Sequence, residues 1–362
     1  MELVKLATES QPVVEALDNE KVVIAQQNGI VTVVYLNSDK ILSVELNAEA
    51  VQIEIRNSSI YVSTKPFEIV QTADNEESEE VLANNLLASR KTGSTLWKID
   101  IIENALVVNN TFEHAGGFAI NEDKIYACNI LSYGFYVLSL TLIEIEKIFV
   151  QIEPSDRRPW HSMIVISDNV LFLIQEEARI RWFTLGDKIE EMGIVEPEFI
   201  HKTCFLSVSA TPKKVLKVGS YILGILTFGE PFVISMIDGK PAVAVDPKTI
   251  FTLIYKDGFE VMDRIQAVSD QYALGMNRDR IMVTDETMNA VLHGFYFDEV
   301  DDGLNLTRVS AFGKYAVCFA WTYSRKYPVI IFDLSKPQEP VIVKIVDCGI
   351  ESGEIKVDID EW

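Results

Sequence analysis

Hydrophobic positions along the chain fall into short runs that recur with the same internal order. A turn rich in Asn, Asp, Gly or Ser leads into an apolar run with a β-branched or aromatic start; a gap follows, and then a second apolar run. The first runs occupy residues 22–25, 60–63, 125–128, 170–173, 221–224, 272–275 and 315–318. Their partners occupy 31–34, 96–99, 135–138, 180–183, 232–235, 280–283 and 328–331. Pairs of this kind, separated by polar turns such as Asn57-Ser58-Ser59 and Asn121-Glu122-Asp123, predict β-hairpins. Flanking runs such as 51–55 and 341–345 supply further strands. The middle strands read as continuous apolar runs, not as an alternation, which predicts cover on both faces. No amphipathic helical segment longer than about three turns stands out.

The first runs begin at residues 22, 60, 125, 170, 221, 272 and 315, a mean step of about 49 residues. Four-strand units at that spacing predict an all-β chain folded as a single β-propeller of seven four-stranded blades. A pair of β-sandwiches or a β-solenoid fits long four-strand repeats less well. The expected blades cover approximately 12–46, 50–110, 114–152, 158–196, 205–262, 264–298 and 305–347, with an acidic insertion at 73–90 and an acidic strand or tail at 353–362. A blade of this size cannot bury its own apolar surface, so stacking against neighbours supplies the core.

The last repeat carries the most specific signal. Tyr315-Ala316-Val317-Cys318-Phe319 is followed by Val329-Ile330-Ile331-Phe332-Asp333, then by Leu334-Ser335-Lys336-Pro337-Gln338-Glu339-Pro340 and Val341-Ile342-Val343. Residues 315–346 resemble an LVIVD-type propeller repeat: an apolar strand ending in Asp, a Ser-x-Pro-x-x-Pro turn, then another apolar strand. Asp333 and Ser335 are placed to cap that turn, and Pro337 and Pro340 fix its φ angles. Fainter echoes stand at Gly117–Ala127 and at 232–241. The chain is WD40-like in the broad sense, although the Gly-His and Trp-Asp pairs of WD40 blades are missing, and the slightly kelch-like stretch Arg158-Pro159-Trp160-His161-Ser162 lacks the double glycine of that family. The resemblance implies the scaffold and says little about activity.

The charge balance narrows the partner. Across 362 residues, 54 Asp and Glu stand against 32 Lys and Arg, a net charge of −22. Phosphate neutralisation requires a basic face, so a nucleic-acid partner is excluded, and an anionic membrane is disfavoured for the same reason. The first ten residues carry no basic-then-apolar leader. Cys128, Cys204, Cys318 and Cys348 have neither CxxC nor CxH spacing. These features give the expectation of a reduced, cytoplasmic protein whose thiols act as small apolar side chains.

Few residues suggest chemistry. His114 and His161 precede the first strands of the third and fourth repeats; with Glu113 or Asp156 nearby they are candidate metal ligands, although no HxH or HExxH spacing supports them. Asp298-Glu299-Val300-Asp301-Asp302-Gly303 lacks the ligand spacing of a calcium loop and reads as a solvated turn. No GxSxG, P-loop or GxGxxG occurs. No cofactor is implied. The acidic run with Asp74, Glu76, Glu77, Glu79 and Glu80 reads either as a partner-docking insertion or as a solvated surface loop. Trp160, beside Arg157 and Arg158, and the terminal Trp362 are candidate contact aromatics. The tail is expected to add a strand that helps to close the ring, with a recognition peptide as the alternative.

Two function classes follow. The first is a non-enzymatic scaffold that presents acidic propeller loops to a protein with a basic surface. The second is an enzyme or ligand-binding propeller with its site at the channel mouth, using His114, His161 and Trp160.

Overall fold

The computed structural model describes residues 12–18, 21–26, 28–66, 94–129, 134–150, 163–167, 169–174, 180–195, 212–218, 221–226, 232–237, 240–242, 265–268, 272–277, 280–285, 291–297, 304–312, 314–322, 328–336, 339–346 and 357–360. The chain divides into two compact units, Ser10–Val195 and Glu196–Trp362.

The unit Ser10–Val195 holds four antiparallel four-stranded meanders, each drawn from one continuous stretch of chain. The first sheet is β1 (Pro12–Asp18), β2 (Lys21–Gln26), β3 (Ile30–Tyr35) and β4 (Ile41–Glu45). The second is β5 (Glu49–Arg56), β6 (Ser59–Lys65), β7 (Thr95–Ile102) and β8 (Ala105–Glu113). The third is β9 (Ala115–Asn121), β10 (Lys124–Asn129), β11 (Gly134–Ser139) and β12 (Glu144–Phe149). The fourth is β13 (Met163–Ser167), β14 (Val170–Ile174), β15 (Ile180–Leu185) and β16 (Ile189–Val195).

Consecutive sheets in this unit meet along their first strands: β1 lies against β5, β5 against β9, and β9 against β13. The contact between sheets is apolar and uses alternate residues of the same strand. On β10, Ile125 and Ala127 join a core shared with the second sheet, while Tyr126 and Cys128 join one shared with the fourth. On β11, Tyr136 and Leu138 face the second sheet, and Phe135 and Val137 the fourth. A strand whose two faces are both covered is apolar on both, which is why these runs show no period-2 pattern. Each fully buried side chain of this size contributes about 1.5–3 kcal/mol.

The unit Glu196–Trp362 repeats the plan three times. Its sheets are β17 (Pro212–Val218), β18 (Tyr221–Leu226), β19 (Phe232–Ile237) and β20 (Lys240–Ala242); β21 (Ile265–Val268), β22 (Tyr272–Asn277), β23 (Arg280–Asp285) and β24 (Val291–Phe297); and β25 (Leu304–Phe312), β26 (Tyr315–Thr322), β27 (Val329–Asp333) and β28 (Val341–Val346). Again the first strands adjoin, β17 with β21 and β21 with β25. A final strand, β29 (Val357–Asp360), pairs antiparallel with β24, Gly294 opposite Asp360 and Phe297 opposite Val357. The tail therefore lengthens the sixth sheet outward. It adds a strand, as expected, at an outer edge that offered unpaired backbone groups.

Local sequence explains the strand ends. The turn between β5 and β6 is Asn57-Ser58 with φ of 49° and 65°, and that between β7 and β8 is Glu103-Asn104 with φ of 47° and 74°. Two successive positive φ values define the mirror-image turn whose twist suits a two-residue hairpin. After β27, Asp333 Oδ1 accepts from the Ser335 amide at 2.8 Å and from its hydroxyl at 2.5 Å. Lys314 Nζ reaches Asp333 Oδ2 at 3.0 Å. Burial pushes the Asp333 carboxyl up, but these donors outweigh it and hold the group below its usual value.

The architecture is all-β and of the β-propeller class, with seven blade-type sheets among the described residues.

Candidate functional site

An antiparallel meander sends its first and third turns to one end of the sheet. The second turn, and the link to the next sheet, lie at the other end. Within Ser10–Val195 the first end is tight: residues 57–58, 103–104, 122–123 and 140–143 make its turns in the second and third sheets. Neighbouring turns there also bond to each other. Lys40 Nζ donates to Asn104 Oδ1, and Arg56 Nε to the Glu122 carbonyl at 3.3 Å.

The opposite end carries the long connections. Residues 66–94 join β6 to β7, and 150–162 join β12 to β13. In the unit Glu196–Trp362 the long link 243–264 likewise runs between consecutive sheets. Two contacts verify that the two kinds of link share an end. The Leu46 amide donates to the Gly29 carbonyl at 3.0 Å, and the His114 amide to the Ser94 carbonyl at 2.7 Å. Gly29 is required at its position: φ is +83°, and a Cβ there would stand 2.4 Å from the Ala48 carbonyl oxygen.

His114 thus sits at the foot of the long connection 66–94. Its φ is 63°, a left-handed value that is uncommon outside glycine. Its Nε2 lies 4.0 Å from Oε2 of the exposed Glu113. Its buried Nδ1 meets no hydrogen-bond partner among the described residues. Among the described residues no three His, Cys, Asp or Glu side chains gather as a metal centre requires. The other sequence candidates, Asp74, Glu76, Glu77, Glu79, Glu80, Trp160, His161 and Trp362, lie outside the described residues. So do the acidic turn 298–303 and the cysteines Cys204 and Cys348. Cys128 is buried, and desolvation pushes its thiol far above the usual value, which makes it an inert apolar group.

A polar ladder that sequence reasoning did not single out joins the second and third sheets. Gln52, Glu54 and Arg56 alternate on β5 with Ile53 and Ile55. Gln52 Oε1 accepts from the Phe118 amide at 3.0 Å, and its Nε2 donates to the Phe118 carbonyl at 2.6 Å. The same Nε2 lies 3.2 Å from Glu54 Oε1. Burial pushes the Glu54 carboxyl up to about 7, against the pull of the Ile120 amide, the Gln52 amide and the Arg56 charge. Successive side chains of one inner strand thus grip Phe118, Ile120 and Glu122, alternate backbone positions of the next sheet. The period-2 alternation in 51–56 was the available signal; its partners are backbone groups 66 residues on, which leave no mark in the sequence.

No protein-family profile matches the chain, and no curated protein matches it. The LVIVD-type likeness therefore rests on residues 315–346 alone. Solved structures do resemble it. A computationally designed protein, Ika8, is 12% identical over 95% of this chain and 88% of its own, with a TM-score of 0.52. BamB from Moraxella catarrhalis is 10% identical over 87% of this chain and 83% of its own, at a TM-score of 0.49. The C-terminal WD40 domain of Sif2 is 9% identical over 91% and 85%, at 0.47. At such identities a likeness concerns the fold alone, and the seven meanders of the chain itself establish its class as an all-β protein of the β-propeller type.

Proposed function

We propose that the chain is a non-enzymatic interaction scaffold that presents acidic connections to a protein partner with a basic surface. One observation supports this reading above the others: the two ends of the blades are unequal. One end is closed by short turns bonded to one another; the other bears the long links, including the acidic run Asp74, Glu76, Glu77, Glu79 and Glu80 between β6 and β7. Variable loops on a rigid frame are where binding residues concentrate. A net charge of −22 attracts a basic partner and speeds its encounter. Trp160, in the link 150–162 attached to the same end, would supply an aromatic anchor. Among the described residues, His114 brings the enzyme reading only an exposed carboxylate 4.0 Å away.

The test is affinity purification of the tagged protein at low and high salt, beside a variant with Asp74, Glu76, Glu77, Glu79 and Glu80 all changed to Lys. A stoichiometric partner that salt and the charge reversal both remove supports the scaffold. A protein recovered alone, carrying a metal or small molecule, overturns it.

A further inference from the structure

The outer strands of the sheets are not equivalent. In the sixth sheet a β-bulge interrupts the pairing of β23 with β24 between Val283 and Thr284, and beyond it Gly294–Phe297 of β24 carry β29 as a fifth strand. The third sheet has the same layout. Its bulge falls between Val137 and Leu138, and beyond it Glu146, Lys147, Ile148 and Phe149 of β12 run in regular register with Val137 to Gly134. Among the described residues no strand pairs with the outer edge of β12.

That edge is apolar to an unusual degree. Phe149 at its end is 69% exposed, Ile145 at the bulge 56% and Ile143 in the preceding turn 63%, three of the four most exposed large hydrophobic side chains among the described residues. The exposed carboxylates of Glu144 and Glu146 alternate with them. Lys147 is folded back over the rings of Tyr136 and Phe149, 5.2 and 5.1 Å from their centroids, so the carboxylates dominate the edge. An exposed apolar edge strand is a template for pairing with another chain. The charges select what pairs. This chain's own tail strand, Val-Asp-Ile-Asp, would bring acid against acid on β12, whereas a basic strand brings opposite charges together.

We propose that the outer edge of β12 is a docking site for an extended segment of a partner protein, added as a fifth strand, in which apolar residues alternate with lysine or arginine. Main-chain bonds to the edge supply affinity, and the alternate side chains supply selectivity. The site rests on the reading of the chain as a partner-binding protein, but it is built on the perimeter strand β12 and uses no residue of the connection 66–94.

The test uses the full chain and a labelled seven-residue peptide alternating Val and Lys, followed by fluorescence anisotropy. A scrambled peptide of the same composition and an alternating Val–Asp peptide are run beside it. Saturable binding of the Val–Lys peptide is expected, weakened about tenfold or more by Phe149→Lys and by Glu144→Lys with Glu146→Lys. Val341→Lys, at an exposed apolar position on β28, leaves binding unchanged and shows that one more surface lysine is not itself the cause. Equal binding of the scrambled peptide, or indifference to Phe149→Lys, means bulk charge attraction and overturns the proposal. So does the absence of saturable binding. Preference for the Val–Asp peptide overturns it in favour of a second copy's tail. Charge reversal at residues 74–80 separates the two readings: it removes the scaffold's partner while leaving the peptide's affinity for β12 intact.

Discussion

The inner edge of the second sheet and the outer edge of the third solve the same problem in opposite ways. Each ends a sheet in unpaired backbone. On β5, polar side chains reach across to the next sheet: Gln52 satisfies both the amide and the carbonyl of Phe118, and Arg56 reaches the Glu122 carbonyl. On β12, exposed apolar side chains, Phe149 at 69% exposure, stand among the charges of Glu144, Glu146 and Lys147. Where blades converge, neighbouring backbone is close enough for a side chain to bond, so polar residues are stabilising. At the outer edge of β12 no strand among the described residues pairs, and the side chain of Phe149 stands largely in water. The outer strand divides its residues: Ile148 packs against the core, while Phe149 faces water.

The largest expected effect tests that division with one residue type. Phe135 on β11 is fully buried, its ring 5.1 Å from that of Phe183 in an edge-on contact. Phe135→Ala opens a cavity and is expected to cost about 3–5 kcal/mol in denaturant unfolding. Phe149→Ala, fourteen residues on in the neighbouring strand, is expected to stay within about 0.5 kcal/mol. Equal costs would erase the distinction between strand and edge. Next comes the ladder. Gln52→Leu leaves the Phe118 amide and carbonyl without their partner and is expected to cost about 2 kcal/mol by the same measurement. A neutral result would mean that water replaces the amide, and that the inner edge is no more committed than the outer one.

Glu54 gives a smaller, pH-dependent effect. Burial raises its folded pKa from 4.5 to about 7. Between those values the folded state holds the proton and the unfolded state does not. Stability from this group is thus full below about pH 4.5 and lost as pH rises to about 7. Glu54→Gln keeps an acceptor for the Ile120 amide and removes the titration. It is expected to gain about 1–2 kcal/mol at pH 8, little at pH 4.5, and to flatten the slope between. A variant whose stability follows the parent at both pH values would show a well-solvated carboxylate.

The sequence made some of this legible and not the rest, for physical reasons. Strands such as β6, β10 and β26 announced themselves because burial on two faces forces unbroken apolar runs, and because hairpin turns favour residues such as Asn57 that tolerate positive φ. The turn after β27 was legible for a similar reason, since Asp333 and Ser335 act on atoms two residues away. The run 135–138 was legible as a strand, β11, whereas the charges at 144, 146 and 147 mark the outer strand β12. The Gln52–Phe118 contact was hidden because one partner is backbone. His114 has one carboxylate within reach among the described residues, that of Glu113; its other candidate companions, His161 and Asp156, lie outside them.

The smallest effect sets the inner edge against a surface turn. Asp333 titrates in the opposite sense to Glu54, because its donors from Ser335 and Lys314 favour the charged form more than burial opposes it. A lowered folded pKa means a contribution present above the ordinary carboxylate range, near pH 4, and lost as pH falls through the folded value. Asp333→Asn preserves an acceptor for the Ser335 amide while deleting the charge that Lys314 meets. Because Lys314 is well exposed, the loss at pH 7 is expected to stay under about 1 kcal/mol, shrinking further in high salt. The informative readout is the acid limb of the stability curve: the variant should lose less than the parent between pH 4 and pH 2. If Glu54→Gln moves only the limb above pH 4.5 and Asp333→Asn only the limb below it, burial governs the convergent inner edge and solvent-exposed pairing governs the turns. A single shared limb would mean that both groups report one global transition and that the inner edge has no electrostatic character of its own.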